Sequence, residues 1–204
     1  MRAIRPLGKD DVVRGQYDGY RSIKGVSPDS ETETYVAVRL HCDTWRWSGV
    51  PIVIRAGKDM PLTATEVVVR FKKAPAIRVG NQIARVAGHD DVILRIGAKS
   101  GVDVGIRVKT PGLLAVEPEF LSLDFATALG DLPSPYERLL HDAMMGNPAL
   151  FPRWEAVEAT WQVVQPVLDD PPPVIAYEPG TWGPHEADRF VRNSGGWRDP
   201  RPAP

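Results

Sequence analysis

Lys58 is the residue whose type and setting most directly suggest chemistry. In the stretch from Trp45 to Lys58, WRWSGVPIVIRAGK, Ile52, Ile54 and Ala56 share one parity, so an extended chain from Pro51 to Ala56 aims an apolar row at one face. Trp45 and Trp47 have the other parity, which predicts a bulge or bend at Gly49 to Pro51. Gly57 ends the run, where a glycine admits φ > 0, and Lys58 is then carried out on a turn beside Arg55. A cation held there can meet a phosphate as a point charge. Taken alone, the same residues also describe a solvated turn lysine and an arginine on the wet side of a sheet.

Other combinations are weaker. The four histidines lie in LHCD, GHDD, LHDA and PHEA. None is spaced from a second histidine as metal ligands are. His41/Asp43, His89/Asp90 and His141/Asp142 are neighbours in sequence, which does not make their side chains converge on one substrate atom. No glycine-rich phosphate loop of the G-x-G-x-x-G or G-x-x-x-x-G-K type is present.

The elements that must position these residues are strands first and helices afterwards. The chain opens with a short polar segment that includes RGQY at 14–17, followed by a loop at 22–30 rich in turn-forming residues. In TETYVAVRLHC, 32–42, Thr34, Val36, Val38, Leu40 and Cys42 fall on one side and Tyr35, Ala37, Arg39 and His41 on the other. EVVVRFKK, 66–73, alternates again, with Val67, Val69 and Phe71 expected inward and a hairpin expected with residues 51–56. Runs at 91–97, 102–109, 113–117 and 121–125 repeat the period, and their connections are too short for crossover helices, so the sheet is expected to be mostly antiparallel.

From Pro133 the period becomes helical. Ser134, Pro135 and Glu137 spell a capping box, Gly146 a stop, and Tyr136, Leu139, Leu140, Ala143 and Met144 one stripe. A second helix is expected over 152–168, with Trp154, Val157, Trp161 and Val164 as its core stripe and Pro166 as a kink or end. A short third helix is expected over 184–192. The fold class is therefore α+β: a large, mostly antiparallel sheet with helices packed on one face. We expect one domain over 1–197 and an unanchored, disordered tail over 198–204.

Composition sets limits. The chain has 204 residues, 43% of them hydrophobic, enough for a sizeable core. A formal net charge of -1 favours neither nucleic acid nor an anionic membrane as partner. Cys42 is the only cysteine, so no internal disulfide forms. The charged opening and the lack of a spanning stretch lead us to expect a soluble, cytoplasmic protein.

Seven blocks carry a resemblance: RGQY at 14–17, TETYVA at 32–37, WRWSGVPIVIRAGK at 45–58, TEVVVRF at 65–71, KTPG at 109–112, PYERLLHDAMMGN at 135–147 and WGPHEAD at 182–188. In this order they resemble the C-terminal domain of glucose-6-phosphate dehydrogenase. The resemblance implies an oxidoreductase of the pentose phosphate pathway that oxidises glucose 6-phosphate to a lactone with NADP as hydride acceptor. It implies a large antiparallel sheet that forms a homodimer interface. Lys58 matches the lysine of the family's R-x-G-K motif and is implied as the contact to glucose 6-phosphate or a related sugar phosphate.

Two family positions differ here, since Thr63 stands where a second basic residue is common and Gly97 where a glutamine is common. Arg55 and Arg95 match arginines that help bind a second NADP in some members, but most of that site has no clear match, so no such site is expected. The family's nucleotide-binding glycine turn and its catalytic DHYLGK-like motif do not occur in the chain, so no catalytic residue is assigned and the chain alone is expected to be inactive. We therefore expect a fragment, a truncated gene or a separately expressed domain. The alternative is a stand-alone dimerisation or regulatory module that has lost the chemistry, which the coding sequence upstream of Met1 would separate from the first reading.

Overall fold

The computed structural model describes residues 3–73, 75, 77–79, 82–84, 88–97, 99–109, 116–130 and 134–201. They fall into two compact units, one from residues 1–62 and 139–197, the other from 63–138 and 198–204.

In the first unit the strands are β1 (Val12–Tyr17), β2 (Tyr35–Leu40) and β3 (Ile52–Gly57), joined by a late strand, Val174–Tyr177. That late strand pairs parallel to β1, β1 pairs antiparallel to β2, and β2 antiparallel to β3. The segment expected to be a polar opening is thus an inner strand. RGQY contains an arginine and a glutamine, yet Val12, Val13, Gly15 and Gln16 are all buried. The polar groups are satisfied: Gln16 Nε2 donates to the carbonyls of Ser30 and Thr32, and Arg14 pairs with Glu33 at 2.8 Å. Gly15 is required by space, since a Cβ there would lie 2.9 Å from Pro184 Cγ.

The alternation read in 32–42 holds, and each face of this sheet has its own cover. Tyr35, Ala37 and Val13 pack with Tyr177, Ala187 and Phe190 on one side. On the other, Val36, Val38 and Leu40 lie against Leu7, Val12, Val163 and Val167. The last two belong to the long helix Trp154–Asp169, anchored further where Leu7 N–H donates to the Val163 carbonyl at 2.8 Å. Pro166 does not end this helix. It runs three residues further, to a last turn closed by Asp170 N–H on the Pro166 carbonyl. Its buried stripe is Ala159, Val163 and Val167, whereas Trp154 is 71% and Trp161 55% exposed. The tryptophans expected in the core therefore face outward.

The second unit is built on β4 (Thr65–Arg70), β5 (Ile77–Val79), β6 (Gln82–Ala84), β7 (Asp91–Ile96), β8 (Gly101–Lys109) and β9 (Val116–Asp124). The late strand of the first sheet, Val174–Tyr177, paired to β1, is β10. Strands β4, β7, β8 and β9 form a four-stranded antiparallel sheet in that order, and β5 and β6 a separate ribbon. The α+β, mostly antiparallel architecture is as expected, with the strands divided between two four-stranded sheets. The hairpin expected between 51–56 and 66–73 is absent, because β3 pairs with β2 and β4 with β7. Residues 113–115 of the run read at 113–117, and Pro133, lie outside the described residues.

The parity of β4 is right and its sidedness is reversed. Val67 is 47% exposed, with Val69 and Phe71 also open, while Glu66, Val68 and Arg70 are half-buried. The covered face is lined by paired charges: Glu66 with Arg198 at 2.9 Å, Arg70 with Asp91 at 3.2 Å, and Arg95 with Asp103 at 3.2 Å. Arg198 thus ion-pairs from within the segment read as a tail, and Arg201 lies over the Phe120 ring, while residues 202–204 lie outside the described ones.

Three helices follow β9 in the chain: α1 (Phe125–Leu129), α2 (Pro135–Met144) and the long Trp154–Asp169 helix, α3. Half of the capping box forms at α2, where Glu137 N–H donates to Ser134 Oγ at 3.2 Å, and Gly146 stops the helix at φ +66°. The apolar stripe of α2 is mostly open, since Tyr136, Leu140 and Met144 are exposed. The third helix expected over 184–192 forms instead as 3-10 turns, His185–Phe190 and Arg192–Ser194.

Candidate functional site

Strand β3 delivers Lys58 to the first position after its end, with the side chain exposed. The backbone around it is fixed from three sides. Lys58 N–H donates to the Thr34 carbonyl at 2.8 Å, extending the β2–β3 ladder by one rung. The Lys58 carbonyl accepts from the Tyr177 hydroxyl at 2.7 Å. The next carbonyl, that of Asp59, accepts from Gly180 N–H at 2.7 Å.

Gly57 does not take the left-handed φ that a glycine there admits. The left-handed residue is Asp59, at φ +53°, the one non-glycine residue with positive φ among the described residues. Gly57 is needed for room: a Cβ would come within 2.8 Å of Tyr35 Cδ2 and 2.9 Å of Met60 Sδ. The turn therefore rests on the buried Tyr35 ring, which in turn packs on Tyr177 at 5.7 Å between centroids. Burial first, then nearby Asp188 and Tyr177, push the Tyr35 hydroxyl up to about 12 against the opposing pull of Arg55, so it stays protonated at neutral pH. Burial likewise raises the Tyr177 hydroxyl, which keeps its proton available to the Lys58 carbonyl.

Arg55 and Lys58 do not form one free cationic pair. The Arg55 guanidinium is held between the Trp182 and Trp197 rings, 4.6 and 4.8 Å from their centroids. Arg95 is 8% exposed and engaged with Asp103. Of these three basic residues, Lys58 is the exposed one.

The histidines do not assemble a site. His41 Nε2 lies 3.1 Å from Asp11 Oδ1, while Asp43, its sequence neighbour, is taken by Arg5 at 2.6 Å. His89 Nδ1 lies 2.8 Å from the Phe71 carbonyl, and His141 Nδ1 stands 3.9 Å from Asp142. Among the described residues there is no group of three or more histidine, cysteine or acidic side chains able to hold a metal ion. Among them too, no helix is long and apolar enough to cross a membrane.

The sequence reading missed Tyr177 and the tryptophan pair around Arg55. VIAY at 174–177 is a four-residue apolar run behind three prolines, which is a strand signal, but nothing local announces parallel pairing with a strand more than 150 residues earlier.

Fold and site together define an α+β domain that presents one exposed lysine on a strand-end turn braced by buried tyrosines. The family model for the glucose-6-phosphate dehydrogenase C-terminal domain matches residues 1–198. Glucose-6-phosphate 1-dehydrogenase 1 of Mycobacterium tuberculosis (strain ATCC 25618 / H37Rv) is 42% identical over 201 residues, covering 98% of this chain and 42% of the relative. The Aggregatibacter actinomycetemcomitans enzyme is 38% identical over 221 residues, covering 98% and 44%. The crystal structure of glucose-6-phosphate 1-dehydrogenase from Mycobacterium avium superposes with a TM-score of 0.85 at 38% identity, covering 99% of this chain and 43% of that one. A glucose-6-phosphate dehydrogenase in complex with its substrate glucose-6-phosphate superposes with a TM-score of 0.79 at 27% identity, covering 98% of this chain and 43% of that one. The chain belongs to the glucose-6-phosphate dehydrogenase family of oxidoreductases and corresponds to its C-terminal domain. It spans less than half the length of the curated relatives it matches.

Proposed function

We propose that this chain is the substrate-side half of an NADP-dependent glucose-6-phosphate dehydrogenase, working in the cytoplasm in the pentose phosphate pathway. Its contribution is to hold the sugar phosphate through Lys58 and to pair with a second copy through the β4–β7–β8–β9 sheet. The observation that carries the reading is the position of Lys58, an exposed ammonium on a turn whose Lys58 N–H and whose Lys58 and Asp59 carbonyls are hydrogen-bonded within the fold. A phosphate is met there without reorganising the turn. That a relative is solved with glucose 6-phosphate bound supports the choice of ligand.

No NADP contact is assigned to this chain's residues. The two arginines that match a nucleotide site of some family members are held elsewhere, Arg55 between indoles and Arg95 against Asp103. No hydride-transfer step is therefore assigned to this chain. Binding and orienting the phosphate end of the sugar is the part its own residues perform.

Two measurements test this. The purified 204-residue chain mixed with glucose 6-phosphate and NADP should produce no NADPH absorbance. Glucose 6-phosphate titrated into the same chain should shift the Lys58 side-chain NMR resonances, and Lys58→Gln should weaken binding about tenfold or more, as loss of a charge-assisted contact does. NADPH formation by the chain alone, or unchanged binding in Lys58→Gln, overturns the reading.

A further inference from the structure

We infer that Tyr177 is the positioning residue for Lys58, fixing the turn from which the ammonium reaches its phosphate; this rests on Lys58 being the phosphate contact. The hydroxyl of Tyr177 lies 2.7 Å from the Lys58 carbonyl and 3.2 Å from Thr34 Oγ1. A hydroxyl has one proton, and the shorter contact, to an acceptor that cannot donate, takes it. Thr34 must then donate to Tyr177, and Thr34 Oγ1 is itself free to accept the Tyr17 N–H at 2.9 Å. The result is a directed chain of hydrogen bonds from the inner strand β1, through Thr34 and Tyr177, to the carbonyl of the residue that bears the cation.

The chain spans elements distant in sequence and converges on one residue. Tyr177 ends β10, is 5% exposed, and has its ring fixed between Tyr35 at 5.7 Å and Tyr17 at 6.3 Å. Three residues later Gly180 N–H takes the Asp59 carbonyl, so the same segment holds two successive carbonyls of the turn. Asp59 is in the left-handed region, a conformation that reverts unless its surroundings hold it. Remove the Tyr177 hydroxyl and the Lys58 peptide is freed to rotate, taking the side-chain origin with it.

The test uses the 204-residue chain and the variants Tyr177→Phe, Thr34→Val and Lys58→Gln. Tyr177→Phe keeps the ring and deletes the donor. We expect it to remain folded, with amide exchange in β1 and β2 near parental values. The Lys58 and Gly180 amides, which donate to the Thr34 and Asp59 carbonyls, should exchange about tenfold faster, and glucose 6-phosphate should bind about fivefold more weakly with a smaller shift at the Lys58 ε-methylene resonance. Thr34→Val, which breaks the relay one link earlier, should give the same signature with a smaller loss, and it carries the test if Tyr177→Phe does not fold.

The outcomes separate the two claims. If Lys58→Gln weakens binding while Tyr177→Phe, or failing that Thr34→Val, keeps both parental affinity and parental exchange at Lys58, Tyr177 has no positioning role although Lys58 stands. If the parent shows no shift at Lys58 with glucose 6-phosphate, or Lys58→Gln binds as the parent does, the reading of Lys58 fails and the positioning role falls with it.

Discussion

Asp11 gathers several donors on one carboxylate. Its Oδ1 accepts from Arg39 Nη2 at 3.0 Å and lies 3.1 Å from His41 Nε2, and its Oδ2 accepts from Gly8 N–H at 3.3 Å. Partial burial pushes the carboxyl up, but the hydrogen bonds from Arg39, His41 and Gly8 outweigh it and leave the group below its ordinary value of 3.8. A carboxylate depressed in this way stabilises the fold at neutral pH and loses that contribution as pH falls below about 4 towards its folded value. Asp11→Ala should cost about 1–2 kcal/mol at pH 7, since both side-chain partners are partly exposed and screened. In urea melts the gap to the parent should narrow by pH 3; a gap that stays constant would show that the carboxylate is not the cause. Gly57 shows what a sequence hides at this scale. A glycine before a turn suggests a left-handed φ, but the left-handed residue is Asp59, and Gly57 is fixed by a ring and a thioether that come from elsewhere in the fold. Met60 can swing aside and the buried Tyr35 cannot, so Gly57→Ala should destabilise by about 1–3 kcal/mol in the same melts. A neutral result would mean that the turn has slack.

At the scale of elements, period was legible and side was not. Alternation in β2 and β4, the half-formed capping box of α2 and the long reach of α3 follow from residue order, because propensity and parity are local. Which face is covered depends on partners far away. In β4 the half-buried face is the charged one, because Glu66 and Arg70 find Arg198 and Asp91, while Val67 and Val69 stay open. In α3 two apolar stripes compete, and the smaller residues win the sheet: Val163 and Val167, with Ala159 buried on the same helix, fit closely where Trp154 and Trp161 would hold the helix off. Substitution should expose this directly. Val163→Ala removes buried methyls and should cost roughly 1.5–3 kcal/mol. Trp154→Gln, on the open stripe, should change stability by no more than about 0.5 kcal/mol in the same chain. Equal losses at both positions would contradict the assigned burial of the helix.

For the molecule as a whole, the sheet of the second unit leaves an apolar face uncovered, and its registers show that the face is continuous. Val67 stands opposite Leu94, Leu94 opposite Val102, and Val102 opposite Leu123, so one apolar row crosses all four strands. A second runs through Val69, Val92, Val104 and Leu121. Eight large hydrophobics of this face, Val67, Val69, Leu94, Ile96, Ile106, Val108, Leu121 and Leu123, are more than a third exposed, with Leu121 at 63%. Contiguous apolar area of this kind is uncommon on a monomer, and a mostly apolar face, charged only at its Glu117 and Glu119 end, can mate with itself about a two-fold axis. A formal net charge of -1 adds almost no repulsion between copies. A resemblance in sequence suggests such pairing; the uncovered face supplies its physical reason, which alternation alone could not, since it left β4 facing the wrong way. The chain should therefore sediment as a dimer at about 100 µM, with dissociation on dilution. Leu121→Arg places a charge at the most exposed point of the face, where it costs nothing in the monomer and must be desolvated in the dimer. It should give a monomer with parental circular dichroism. Trp45→Ser removes an exposed ring from the other unit and should leave the dimer intact. A parent that stays monomeric, or a Leu121→Arg variant that still dimerises, would assign this face to some other occupant.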